Sequence, residues 1–193
     1  MSFLPIKERL DQLEEHVIVL RRLLDGERVT FHGRHVHLED ALCDPLPVQR
    51  KLRIWIGGQG EKRLLRMVAK HADGWNVPFL SPEVWAQRNA TLDGWCEKEK
   101  RDPKSVIRTV NVGLAIGADE AAVRRQEENL QLMFGGMTDW VKPGILLGTP
   151  QQVIDRVGEY ERAGVEWLIL ALRAPFDYEG LELFVDQVLP KFQ

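Results

Sequence analysis

From Leu52 onward, short apolar runs alternate with amphipathic runs, and each change of period is marked by glycine, proline or a capping residue. Leu52–Ile56 reads as a strand, ended by Gly57-Gly58-Gln59-Gly60. Glu61–His71 follows as a helix with Leu64, Leu65, Val68 and Ala72 inward. Gly74–Val77 is a short strand. Ser81-Pro82-Glu83 opens a helix to about Lys100, with Ser81 as cap and Pro82 at its first position. Val106–Ile116 is a long apolar strand, and Asp119 starts a helix to about Phe134. Thr149-Pro150-Gln151-Gln152 has the spacing of a capping box, for a helix ending at Gly164. Val165–Leu172 is almost wholly apolar, the pattern of a strand buried on both faces. A helix from Tyr178 to about Val188 closes the series. About four such βα units specify an α/β fold, a parallel sheet covered by helices.

Two elements precede this series. Ile6, Leu10, Leu13, Val17, Leu20 and Leu24 recur at steps of three and four, giving one apolar stripe on a helix over Pro5–Asp25, with Gly26 as its stop. Residues 27–51 read as an inserted hairpin and linker. Val29–His32 and Val36–Leu38 flank Gly33, and Asp44-Pro45-Leu46-Pro47 forces an extended connection.

A closed (β/α)8 barrel needs eight strands and typically about 250 residues. This chain of 193 residues carries about half that number of strands and begins with a helix. The sheet is therefore either open or the C-terminal half of a larger barrel. In the second case an unpaired edge favours self-association or a complementing chain.

Composition excludes several classes. The net charge of −3 lacks the basic excess of a nucleic-acid binder. Cys43 and Cys96 lie far apart without CxxC spacing, which suits a reducing, cytoplasmic setting. The apolar runs are too short for a signal peptide or a membrane span, so no membrane partner is expected.

The chemistry-bearing stretch is Arg53-Ile-Trp-Ile-Gly-Gly-Gln-Gly-Glu-Lys-Arg63, in which a strand delivers a glycine turn into a helix start. Gly57, Gly58 and Gly60 let the backbone approach a ligand, and N–H groups at the helix start favour an anion such as phosphate. Lys62 and Arg63 are available to add charge. A tight turn with no ligand is the equally weighted alternative. The stretch is not a dinucleotide fingerprint: Arg63 stands where the third glycine belongs, and Asp73 comes too early for the ribose-binding acid. It is not a P-loop, since no Gly-Lys-Ser/Thr follows.

Trp75 and Asn76 end a short strand, where a barrel gathers its site residues, so both are candidates to touch a substrate or cofactor tail. Core packing for Trp75 and a turn cap for Asn76 weigh equally. Trp140, Lys142 and Gly135-Gly136 lie after a helix, as part of a lid or simply of a connection, and Arg173 follows the last strand, where it could reach an anion at the mouth or equally lie at the surface. His32, His35 and His37 cluster in the hairpin, yet no third ligand has suitable spacing, and exposed polar residues are the favoured reading, with no metal. No nucleophile elbow or HExxH motif is present, so the catalytic residues stay unassigned.

Taken together, Glu8–Glu15, Val29–Gly33, Ile54–Gly58, Leu65–Asn76, Gly148–Val153 and Ala163–Val165 resemble the luciferase-like monooxygenase family, closest to the branch that uses the deazaflavin coenzyme F-420. The resemblance covers nearly the whole chain, residues 1–193, as one domain. It implies a TIM (β/α)8 barrel of which this sequence supplies the fourth through eighth helices, without the first four strands. It implies F-420 or FMN as cofactor, with Gly57, Gly58, Gln59 and Gly60 against the phosphate-bearing tail and Asn76 near the substrate or tail. The implied activity is a flavin- or deazaflavin-dependent oxidoreductase acting on a small molecule, by hydride transfer or, with FMN, monooxygenation. The alternative is a fragment or catalytically silent half-barrel subunit acting in assembly.

Overall fold

The computed structural model describes residues 4–192. Seven helices and seven strands are found among them, with short 3-10 and π turns between. In order they are α1 (Ile6–Leu24), β1 (Val29–His32), β2 (His37–Ala41), β3 (Trp55–Gly57), α2 (Leu64–His71), β4 (Gly74–Pro78), α3 (Pro82–Lys98), β5 (Ile107–Ile116), α4 (Glu120–Phe134), α5 (Thr138–Val141), β6 (Ile145–Gly148), α6 (Pro150–Ala163), β7 (Trp167–Leu170) and α7 (Tyr178–Leu183). The chain divides into two compact units, residues 4–75 with 91–107, and residues 76–90 with 108–192.

In the first unit, α1 ends before Gly26 as its periodicity predicts. Strands β1 and β2 pair antiparallel, with His32 opposite His37, so the hairpin forms. Its turn is clamped by Glu15 of α1, which accepts from the backbone N–H groups of Arg34, His35 and Val36 at 2.9, 2.7 and 2.9 Å. Strand β3 is shorter than the sequence suggests and starts at Trp55 rather than Leu52. The preceding backbone groups are taken by side chains: Arg21 donates to the Leu52 carbonyl and Asp73 accepts from the Ile54 N–H. Beyond the glycine turn, residues 61–63 form a turn and α2 begins at Leu64, burying Leu65, Met67, Val68 and Ala69.

In the second unit, β5 is the central strand. Its Thr109–Val112 half pairs parallel with Trp167–Leu170 of β7, and its Gly113–Ile116 half pairs parallel with β6. The bonding parity separates the two edges. Arg108 and Val112 accept from Glu166 and Ala171 on the β7 side, whereas Asn111 accepts from Phe79 and Gly117 donates to Gly148 on the other. Strand β6 therefore continues the line that the end of β4 begins, with Gly144 packed so closely on Phe79 that a Cβ would sit 2.2 Å from its Cα.

Strand β6 lies where the sequence reading had only a connection leading into α6. Its four residues, bounded by Pro143-Gly144, are too few for a period to show. The connection before it contains α5 and short 3-10 turns, and Trp140 in it packs edge-on to Phe79 at 5.5 Å.

Strand β7 also corrects an expectation. It is not buried on both faces: Trp167 and Ile169 are 50% and 40% exposed. They stand in register with Thr109 and Asn111, so they share one face of the sheet, while Val110 and Val112 on the opposite face are fully buried. The core of this unit lies on that opposite face and, toward the end of β5, also on the face of Thr109 and Asn111, where Ala115 packs with Leu130 and Phe134 of α4, Val141, Ile145 and Phe79. Helix α6 carries the capping box of Thr149 and Gln152 and ends on Gly164 in the left-handed region (φ +97°).

Candidate functional site

The site is built from the end of β3. Ile56 is buried, and the chain then leaves the sheet through Gly57 and Gly60, both exposed, with Gly58 and Gln59 half-buried between them. Gly58 has φ +129°, a conformation that L side chains rarely adopt, and a Cβ there would lie 3.0 Å from Leu64 Cδ1. Only glycine fits this turn without displacing the first residue of α2. The helix starts with no side-chain cap at Arg63, and the Gly60 carbonyl accepts from Leu65 at 3.0 Å. Gln59 and Gly60 donate to no group among the described residues. A turn whose N–H groups have no acceptor among the described residues, at a helix start, suits a phosphate or another compact anion.

Trp75 completes this arrangement from behind. Its side chain is fully buried, and its indole N–H donates to the Gly58 carbonyl at 2.7 Å. The structure thus brings Gly57, Gly58, Gln59 and Gly60 together with Trp75, but Trp75 supports the turn and presents no surface to a ligand. Of the cations that the sequence offered to the turn, Arg63 is directed elsewhere. Its guanidinium pairs with Asp11 and donates to the Lys7 carbonyl, both on α1. Lys62 is exposed.

Asn76 belongs to the second unit. It is half-buried, and its Oδ1 accepts from Thr109 Oγ1 at 3.0 Å, which leaves its amide N–H groups to donate. Asn111 stands on the same face of β5 as Thr109, and its Oδ1 is buried with no partner among the described residues. Arg173 lies over the Phe134 ring at 5.2 Å, at the rim of a cleft bounded by α4 and the ends of β5 and β7. Lys142 pairs with Glu127 at 2.6 Å, an exposed ion pair.

No group of three metal-ligating side chains occurs among the described residues. His32 sits 3.4 Å from Glu39, and the backbone of His35 is held by Glu15.

Asp73, too early in the sequence for a ribose-binding acid, is a structural hub. Its carboxylate accepts from the Ile54 N–H at 2.9 Å and from Lys51 Nζ at 2.7 Å, and it pairs with Arg21. Burial works against its charge, but Lys51, the Ile54 amide and Arg21 outweigh it and hold the carboxyl below its ordinary range. Arg21 and Lys51 lie far from it in sequence, and nothing local marks them as its partners.

None of the helices is long and apolar enough to cross a membrane among the described residues. The chain is 22% identical over 209 residues to the F420-dependent glucose-6-phosphate dehydrogenase of Microbacterium testaceum, covering 96% of this chain and 62% of that protein. Among solved structures, an F420-dependent secondary alcohol dehydrogenase in complex with an F420-acetone adduct superposes with a TM-score of 0.83 at 17% identity, covering 100% of this chain and 64% of the other. A riboflavin lyase with modified FMN and riboflavin gives 0.79 at 12% identity, covering 99% and 58%. The chain thus spans about three fifths of the length of these proteins. At these identities the structures show the fold, an α/β arrangement that is part of a (β/α)8 barrel. The family model for luciferase-like monooxygenases matches residues 2–139, and on that match the chain belongs to the luciferase-like monooxygenase family.

Proposed function

We propose that this chain is part of a flavin- or deazaflavin-dependent oxidoreductase, and that Gly57, Gly58, Gln59 and Gly60 hold the phosphate-bearing tail of coenzyme F-420 or FMN. The carrying observation is the Gly58 turn: its φ of +129° is one that L side chains rarely adopt, and the N–H groups of Gln59 and Gly60 in it have no acceptor among the described residues. The residues present fit such a tail: a glycine cradle followed by an uncapped helix start offers N–H donors to an anion without a committed cation. When bound, the cofactor supplies hydride transfer or, in the case of FMN, oxygen activation. The chain's own part is to fix the tail and thereby the ring's position. Asn76, with its Oδ1 committed to Thr109, offers amide donors to a substrate.

The relatives' names support both cofactors: F420 in the dehydrogenases and modified FMN in the lyase. The test is titration of the purified chain with oxidised and reduced F-420 and, separately, FMN, followed by cofactor fluorescence, with sedimentation to report association. Saturable, stoichiometric binding of one of them is expected. A folded chain that binds neither overturns the proposal. A second reading, a catalytically silent chain acting in assembly, draws on the exposed Trp167 and Ile169 of β7, and it predicts association without cofactor binding.

A further inference from the structure

We infer that Trp75 is a positioning residue for the anion-binding turn, acting through the Gly58 peptide without touching the ligand. This rests on the reading of residues 57–60 as the seat of an anionic tail. A trans peptide is planar, with its C=O and N–H pointing in opposite directions. The Trp75 indole N–H draws the Gly58 carbonyl toward the buried side of the turn, at 2.7 Å. The N–H of the same peptide belongs to Gln59 and is thereby aimed away from Trp75, where no described group accepts it.

Two features hold that peptide in place. Gly58 takes φ +129°, which glycine alone reaches without strain. Trp75 is fully buried, so its one polar atom must find a partner inside the fold, and the Gly58 carbonyl is that partner. A peptide free to flip would present its carbonyl oxygen to the anion for part of the time, which is repulsive. Fixing the peptide removes that alternative before the ligand arrives. The ligand class that profits is one with a compact anionic group, a phosphate ester or phosphodiester. The same molecule without its phosphate gains nothing.

The test compares FMN with riboflavin, which lacks the phosphate, and F-420 with its phosphate-free core, on the wild-type chain and on Trp75→Phe. The substitution keeps an aromatic ring and removes the donor. Affinity for the phosphorylated member of the preferred pair is expected to fall about three- to tenfold, with the phosphate-free member unchanged. Equal losses for both members, or no loss for either, overturn the inference and leave the turn as an anion seat intact. A wild-type chain with no preference for the phosphorylated member overturns both readings together. An independent arm uses the unsubstituted protein, and decides the matter if Trp75→Phe does not fold. By NMR, the Gln59 amide is expected to shift on adding the phosphorylated cofactor while the Trp75 indole proton stays slow to exchange. A Gln59 amide that does not respond, or a fast-exchanging indole proton, overturns the inference.

Discussion

The Asp73 carboxylate accepts a hydrogen bond from the backbone N–H of Ile54 at 2.9 Å, joining the residue before β4 to the residue before β3. The same carboxylate takes Lys51 and Arg21, so three parts of the first unit meet on one side chain. Asp73→Ala leaves the Ile54 donor and a largely buried guanidinium without their acceptor. We expect a loss of about 2–3 kcal/mol in urea unfolding. The pH dependence follows from the lowered carboxyl. A group whose folded pKa lies below its unfolded value contributes stability above the unfolded value, about 3.9, and loses it as pH falls through the folded one. The stability gap between wild type and Asp73→Asn is therefore constant near neutrality and closes in acid. A gap that persists at the lowest pH where both variants fold contradicts this account.

Gly58 and Gly60 sit two residues apart in the same turn but predict different outcomes. At Gly58 an added Cβ meets Leu64 Cδ1 at 3.0 Å on a backbone with φ +129°. At Gly60 the nearest atom, Leu64 Cβ, is 3.4 Å away, an ordinary contact. Gly58→Ala is expected to cost about 1–3 kcal/mol, and Gly60→Ala to stay within about 0.5 kcal/mol. Thermal unfolding of the two variants checks the contrast. On the proposed role of the turn as a phosphate seat, Gly58→Ala is also expected to remove the preference for FMN over riboflavin, and Gly60→Ala to retain it.

What could be read from the sequence was what is written locally. Helix α6 was legible because Thr149, Gln152 and Gly164 sit at fixed offsets from its ends, and the glycine turn was legible as a turn for the same reason. Strand β6 was not, because four residues hold no period. The role of Trp75 depends on parity: it shares a buried face with Val77, while Asn76 faces the other way, and a five-residue strand in isolation does not state which face is covered. The apolar Val165–Leu172 run misled for a related reason. It records which residues prefer burial, while the exposure of Trp167 and Ile169 is decided by what packs against that face. Arg63 stands beside the turn in sequence, yet it pairs with Asp11 on α1, and only the fold reveals that pairing.

Glu15 links α1 to the hairpin through three successive amides, those of Arg34, His35 and Val36. Its desolvation opposes the charge, and the three N–H donors more than compensate, holding the carboxyl below its ordinary range. The clamp is therefore present above the usual glutamate pKa of about 4.3 and released as pH falls through the lower folded value. Amide NMR signals of these three residues are expected to move together at that acid pH. In Glu15→Ala they are expected to exchange faster at neutral pH while α2 keeps its protection. Unchanged exchange in the hairpin turn would show that β1–β2 pairing alone holds it.

Tyr160 provides the alkaline counterpart in the second unit. It is almost completely buried in α6, and its hydroxyl donates to the Leu80 carbonyl at 2.6 Å. Burial disfavours the phenolate, and the nearby positive charge of Arg156 only partly offsets this, so the pKa is pushed up to about 12. A raised folded value means that the contribution is complete below the unfolded value of about 10 and lost as pH rises toward the folded one. Wild-type stability is therefore expected to fall across that alkaline window, and Tyr160→Phe to remove this part of the fall. At neutral pH the same substitution leaves the Leu80 carbonyl without its donor and costs about 1–2 kcal/mol. The chain has two tyrosines, and Tyr178 is 68% exposed. In a Tyr178→Phe background the phenolate absorbance reports Tyr160 alone. A midpoint near 10 in the folded protein would show that the hydroxyl is open to solvent and that the bond to Leu80 does not hold it.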